Sequence, residues 1–210
     1  MIKMNEFING FAELFPDESK LFPWEITADL KMILEKHILK LNTDYKIADG
    51  IAIHKSAIIE QGVILKAPII ISENCFVGAN AYLRAGVYLD NSVTVGPGCE
   101  IKSSIIFSNT TIAHFNFIGE SIIGNQVNFE AGAHTANHYN ERTDKRISVF
   151  FNGKKIKTNT EKFGALVGDH SKIGANAVLS PGTILPKNSI VKRLELVEQI
   201  VNRDTSTSSV

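Results

Sequence analysis

Residues 77–101 read VGANAYLRAGVYLDNSVTVGPGCEI, and within them Val77, Leu83, Leu89, Val95 and Ile101 recur at every sixth position. A helix repeats near 3.6 residues and a strand at 2, so a strict six fits neither. The same beat runs outward in both directions. Ile53, Ile59, Leu65 and Ile71 precede the stretch, and Phe107 and Ala113 follow it. Four residues after most of these comes a smaller or β-branched residue, as at Ala57, Val63, Cys75, Ala81, Val93 and Cys99. This pattern predicts a solenoid of short strands joined by tight corners, with one residue per step pointing into a narrow core. Three such steps make a triangular coil of 18 residues, stacked about 4.8 Å from the next.

The beat starts near Ile47, breaks after Ala113 and resumes at Ile123, Phe129 and Thr135, four residues out of phase. Residues 138–164 interrupt it. Within them RISVFFNGKKIKTNT alternates around Asn152-Gly153, which predicts a hairpin arm projecting from the solenoid. The count restarts at Val167, Ile173, Leu179, Leu185 and Val191. Residues 1–45 lack the repeat. There Leu30, Ile33, Leu34, Ile38 and Leu41 have helical spacing, so a helical cap over the solenoid end is expected, shielding its strand edges. The chain is read as a cap over 1–45, a β-helix over 46–191, and a C-terminal helix (KRLELVEQIVNR) with a disordered tail over 192–210.

Composition narrows the function classes. The 210 residues are 44% apolar with zero formal net charge. No basic stripe asks for nucleic acid, and no run of 18 apolar residues asks for a membrane. No secretory signal opens the chain, so a cytoplasmic protein is expected. Cys75 and Cys99 fall on core positions and read as small buried hydrophobes.

Arg84 and Lys102 are 18 residues apart and take the same place in their hexads. The solenoid therefore stacks them on one face. Two neighbouring cations with no acid between them ask for an anion, and arginine offers it two parallel N–H donors. A phosphate or carboxylate ligand is expected there.

The hexads VGANAY, VGPGCE and IGANAV resemble those of the hexapeptide-repeat transferases. The resemblance implies a left-handed parallel β-helix, an exception to the right-handed crossover rule, and a homotrimer with active sites between subunits. Across roughly residues 77–185, RAG, EIKSS and IAHFNFIGESIIGNQVNFEAGAHTANHY are similar to the acetyltransferase domain of the bacterial N-acetylglucosamine-1-phosphate uridyltransferases. That similarity implies His114 as general base, Arg84 and Lys102 as the sugar-phosphate pair, and sugar contacts from Asn128 and Asn137. Asn137 would also assist the oxyanion. Acetyl-CoA or another acyl-CoA would be the donor, lying near Gly174 and Ala175 of the neighbouring subunit, with no metal required. The acceptor would be the amine of an aminosugar phosphate or nucleotide-sugar.

Several residues depart from that pattern. Phe117 stands where the family has a tyrosine, His138 stands at the tyrosine of an Asn-Tyr pair, and Glu130 replaces a glycine. Phe117 and His138 are still expected to line the substrate. Residues 1–45 carry no glycine-rich nucleotide loop, so a single activity is expected. A non-catalytic sugar-phosphate binding module is the alternative that Phe117 and His138 favour. Zinc catalysis is set aside, because His114, His134 and His138 are spaced by 20 and 4. Lys154, Lys155 and Lys157 on the arm are candidates to receive an acyl carrier protein or the phosphates of coenzyme A.

Overall fold

A computed structural model describes residues 2–199. The chain winds as a parallel β-solenoid with three strand-built faces. The first face holds Ile51–His54, Ile69–Ile71, the later parts of Tyr82–Leu89 and Glu100–Ile106, then Ile122–Ile123, Ala165–Val167 and Thr183–Leu185. The second face is a seven-stranded sheet from Ile58–Ile59 to Ile190–Val191. The third carries Ile64–Leu65, the beginnings of those two longer strands, then Phe117–Gly119, His134–Thr135, Val178–Leu179 and Leu196–Val197. Corners turn through left-handed backbone, occupied mostly by short polar residues such as Asn74, Asn80, Asn109 and Asn176. His170 is one of these corners, with φ +61°.

The inner stack of apolar residues confirms the hexad and corrects its phase. Ile71, Leu89 and Ile106 fill one inner row, and Leu83, Ile101 and Ile118 another. The step from Ile101 to Ile106 is five residues long, as is that from Ile118 to Ile123. Phe107 and Ala113, expected inside, therefore lie outside the stack. Phe107 points outward, where its ring centroid lies 5.7 Å from that of Phe11 and 6.2 Å from that of Phe15. The extra residue on the preceding coil is absorbed by a register shift between Arg84 and Val87, with Ala85 at φ +61° and Gly86 at φ +95°.

The N-terminal segment forms four helices, α1 (Met4–Phe7), α2 (Phe11–Leu14), α3 (Pro23–Ala28) and α4 (Leu30–Ile38). The stretch with helical spacing from Leu30 becomes α4, which ends at Ile38, short of Leu41, and Asp29 separates it from α3. The helices do not cap the solenoid end as expected. They lie along the first face, whose outward residues Ala52, Ile70, Tyr88, Ile105, Ile122, Leu166 and Ile184 join the helical apolar residues in a second core. Each face of the solenoid sends one row of side chains inside, so the outward apolar row of the first face must find its cover elsewhere. Each large side chain so covered contributes about 1.5–3 kcal/mol. An antiparallel pairing of Tyr45–Ala48 with Ile51–His54 flanks the first coil.

The arm is the expected hairpin, Ser148–Phe151 paired with Lys154–Lys157, but it folds back instead of projecting. Ile147 and Val149 are buried in the second core, and the Phe151 ring lies 5.8 Å from that of Phe7. The C-terminal helix is also corrected over the described residues. Residues 192–195 turn a corner, and Leu196–Val197 pairs with Val178–Leu179 as one more strand. Val191 and Val197 continue the beat of six there, and that pattern prevails over the helical one. Residues 200–203 and the tail lie outside the described residues.

Candidate active site

The third face sets the charged residues in register. Arg84 is paired with Lys102, and Lys102 with Gly119. The stacking of the two cations is as expected, but their bareness is not. Arg84 holds Glu100, with Nη2 at 2.6 Å and Nε at 2.7 Å from Oε1. Lys102 bonds Glu120 Oε1, and both side chains are largely buried. The expected pair of cations without an acid is thus two ion pairs. The Arg84 guanidinium also lies 5.7 Å from the centre of the Tyr82 ring.

Glu120 is the hinge of this cluster. Its backbone is left-handed, at φ +41°, and its second carboxylate oxygen accepts the Asn137 amide N–H. Asn137 Oδ1 in turn meets His138 Nδ1 at 3.1 Å. Gly119 makes the close approach possible. A Cβ there would stand 2.7 Å from the tip of the Phe117 ring and 2.8 Å from Asn137 Nδ2. Phe117 and Asn137 therefore meet over bare backbone beside Lys102. Behind them α4 leans on the bulge, since a Cβ on Gly86 would approach Lys31 N to 3.3 Å.

Within one chain, the remaining candidates stand apart from this cluster. His114 is exposed on the corner between the second and third faces, its ring 5.7 Å from that of Phe115. Phe115 is 67% exposed with φ +58°, a conformation costly for a bulky residue. Asn128 is exposed on the second face, in register between Thr111 and Lys172. Gly174 and Ala175 occupy the same corner ladder as His114, two coils further on, linked through Gly132 N to His114 O and Asn176 N to Ala131 O. The Ala175 N–H donates to Glu130 Oε2 at 2.9 Å, and Arg193 grips both oxygens of Glu130 at 2.7 Å. That grip holds the Glu130 carboxyl below the usual carboxylate range.

Glu100 and Glu120 are the site residues that the sequence reading missed. A signal was present. Glu120 follows Lys102 by 18 residues, the same interval that set Lys102 beside Arg84.

Residues 65–139 match the GMPPB C-terminal domain, and residues 164–192 match the hexapeptide repeat of succinyl-transferase. A putative uncharacterized acetyltransferase, YaiX of Escherichia coli, is 36% identical over 188 residues, covering 83% of this chain and 80% of YaiX. The chain belongs to the hexapeptide-repeat transferase family. This hexapeptide-repeat transferase is also 41% identical over 189 residues to the bifunctional protein GlmU of Methanococcus maripaludis, covering 87% of the chain and 45% of GlmU. The chain thus spans about half the length of such bifunctional relatives. Among solved structures, a hexapeptide transferase family protein from Anaplasma phagocytophilum aligns over 70% of this chain and 74% of its own, with 21% identity and a TM-score of 0.45. No helix among the described residues is long and apolar enough to cross a membrane.

Proposed function

We propose that this acyltransferase moves an acetyl or longer acyl group from a thioester to the amine of an aminosugar phosphate or nucleotide-sugar. The donor is acetyl-CoA or another acyl-CoA, with an acyl carrier protein as the alternative carrier. The protein works in the cytoplasm as a homotrimer. The observation that supports this acceptor most is the pairing of cations with carboxylates on one face, Arg84 with Glu100 and Lys102 with Glu120. An aminosugar phosphate carries both signs of charge. Its phosphate answers the cations, and its ammonium answers Glu100, whose side chain is one-third exposed.

An ammonium has no lone pair for attack. In this reading the ammonium first gives one proton to solvent, and His114 accepts a second from the nitrogen as the neutral amine bonds to the thioester carbon. The carbonyl oxygen becomes an oxyanion, and its collapse to the amide breaks the carbon–sulfur bond and expels the thiolate, which takes the proton back from His114. Asn137 donates one N–H to Glu120 and keeps a second for that oxyanion. Phe117 offers a flat apolar wall in place of a hydroxyl, and His138 fixes the Asn137 amide. Asn128 and the Gly174-Ala175 corner lie on the side away from the charged cluster, so we assign them to the sugar and donor approaching from a neighbouring subunit. Glu130 covers the Ala175 N–H and must yield it to a donor carbonyl.

The test is His114→Ala assayed with acetyl-CoA and glucosamine-1-phosphate or UDP-aminosugars. Turnover should fall by about 10²-fold or more while ligand affinity is retained. A protein that binds the sugar phosphate but shows no turnover in either form is the binding module.

A further inference from the structure

At the base of the arm a cavity of about 200 Å³ is lined by Arg142, Asp144, Arg146, Ser148, Lys155 and Lys157. Its charges are unevenly matched. Arg146 is held by Asp144 through two bonds, Nε to Oδ1 at 2.8 Å and Nη2 to Oδ2 at 2.7 Å. That hold keeps Asp144 ionised, with its carboxyl pushed down to about 2. Arg142 lies 3.2 Å from the centre of the Tyr139 ring and reaches Glu198 at 3.2 Å and Glu141 at 3.5 Å. Glu161 is the further acid near Arg146. Glu141 and Glu198 thus pair with Arg142 and Asp144 with Arg146, while Asp144 also feels the Lys157 charge and Glu161 forms no ion pair among the described residues.

Lys155 and Lys157 have no such partner. They are two residues apart on the strand Lys154–Lys157, so they point to the same side, toward the cavity. Both are exposed, and neither forms an ion pair among the described residues. The arginines are fixed walls and the lysines are free arms.

We propose that the arm cavity is a phosphate-binding site for a small nucleotide ligand, with Lys155 and Lys157 as the ion-pairing residues and Ser148 as a hydroxyl donor. The chemistry is that of a phosphate ester or diphosphate. Two sources carry it, the 3′-phosphate of coenzyme A and the diphosphate of a nucleotide-sugar. Only the choice between these sources rests on the function proposed above. The site itself stands on the cavity and its unmatched cations.

Calorimetric titration of the full chain with inorganic pyrophosphate, coenzyme A, dephospho-coenzyme A and UDP tests this. The variants are Lys155→Gln/Lys157→Gln and, as a control on the exposed strand Tyr45–Ala48, Lys46→Gln. Pyrophosphate should bind the wild type and bind the arm variant about tenfold more weakly or worse, with Lys46→Gln unchanged. Loss confined to coenzyme A, with dephospho-coenzyme A binding wild type and arm variant alike, assigns the 3′-phosphate. Loss confined to UDP assigns the nucleotide-sugar. Equal binding of every probe to wild type and arm variant overturns the site, as does the absence of pyrophosphate binding to the wild type. A dead His114→Ala enzyme with an intact arm site would instead leave this inference standing and bear only on catalysis.

Discussion

At the scale of single residues, Lys102 and Glu120 place a charge pair where water scarcely reaches, with side-chain exposures of 13% and 7%. Truncating one partner of such a pair leaves the other charge uncompensated. Glu120→Ala should therefore cost about 3–5 kcal/mol in urea unfolding. Glu120→Gln keeps an acceptor for Asn137, so it should retain more stability while still lowering turnover. By contrast, Arg84 and Glu100 are each about one-third exposed, and Glu100→Gln should change stability by no more than ~1 kcal/mol. The thiols give a second residue-level test. Burial pushes Cys75 up to about 11 and raises Cys99 as well. A thiol so raised contributes stability that is complete below the unfolded value, about 8.5, and is lost as pH climbs through the folded one. Native protein at pH 8 should thus leave both thiols unlabelled by iodoacetamide, and urea should release them. The sequence pointed to His114, Arg84 and Lys102 through spacing and motif. The interval of 18 from Lys102 was a signal for Glu120 as well, but it does not tell a surface acid from one that the corner at φ +41° turns onto Lys102.

Among the elements, the join between α1 and the solenoid is the most concentrated. Asp169 is fully buried and accepts the Asn9 N–H at 2.9 Å, the Asn125 N–H at 2.8 Å and the Asn125 side-chain amide at 2.9 Å. Asp169→Ala removes the acceptor for all three donors. It should cost on the order of 3–5 kcal/mol and raise amide exchange selectively over residues 2–15. Element type was legible wherever one pattern stood alone, as in the hexads to Ile101 and the Asn152-Gly153 hairpin. It failed where two patterns overlapped. Ile105, Ile106 and Phe107 are three apolar residues in a row, and nothing local says which one faces inward. KRLELVEQIVNR likewise satisfies both a helix and the next hexad, and pairing with Val178–Leu179 decided it. The position of the helices was illegible for a different reason. An amphipathic stripe shows that a face is buried but not what buries it.

For the whole molecule, the three faces are used unequally. Helices and arm cover the first, while the second and third are left to carry the candidate site. Arg84, Lys102 and Asn137 gather on the third face, while Asn128 stands on the second and His114 on the corner between them. If neighbouring chains complete each other's clefts, sedimentation equilibrium should return three times the 23.1 kDa chain mass. Mixing inactive His114→Ala and Lys102→Ala chains after denaturation should then restore turnover in the mixed clefts. A monomer mass, or mixtures as dead as their parents, would place the whole site on one chain.

The contact between Phe7, Asn9 and Asp169 has a consequence in time. The Phe7 carbonyl accepts the Asp169 N–H at 2.9 Å, and Asn9 lies 160 residues before that aspartate. During synthesis α1 is made before the solenoid, but its seat at Asp169 exists only after most of the coils have followed. Coils can stack on their predecessors as they appear, because each needs only its neighbour. Helical residues made ahead of the coils are then placed after them, and the apolar row along the first face waits uncovered until they are.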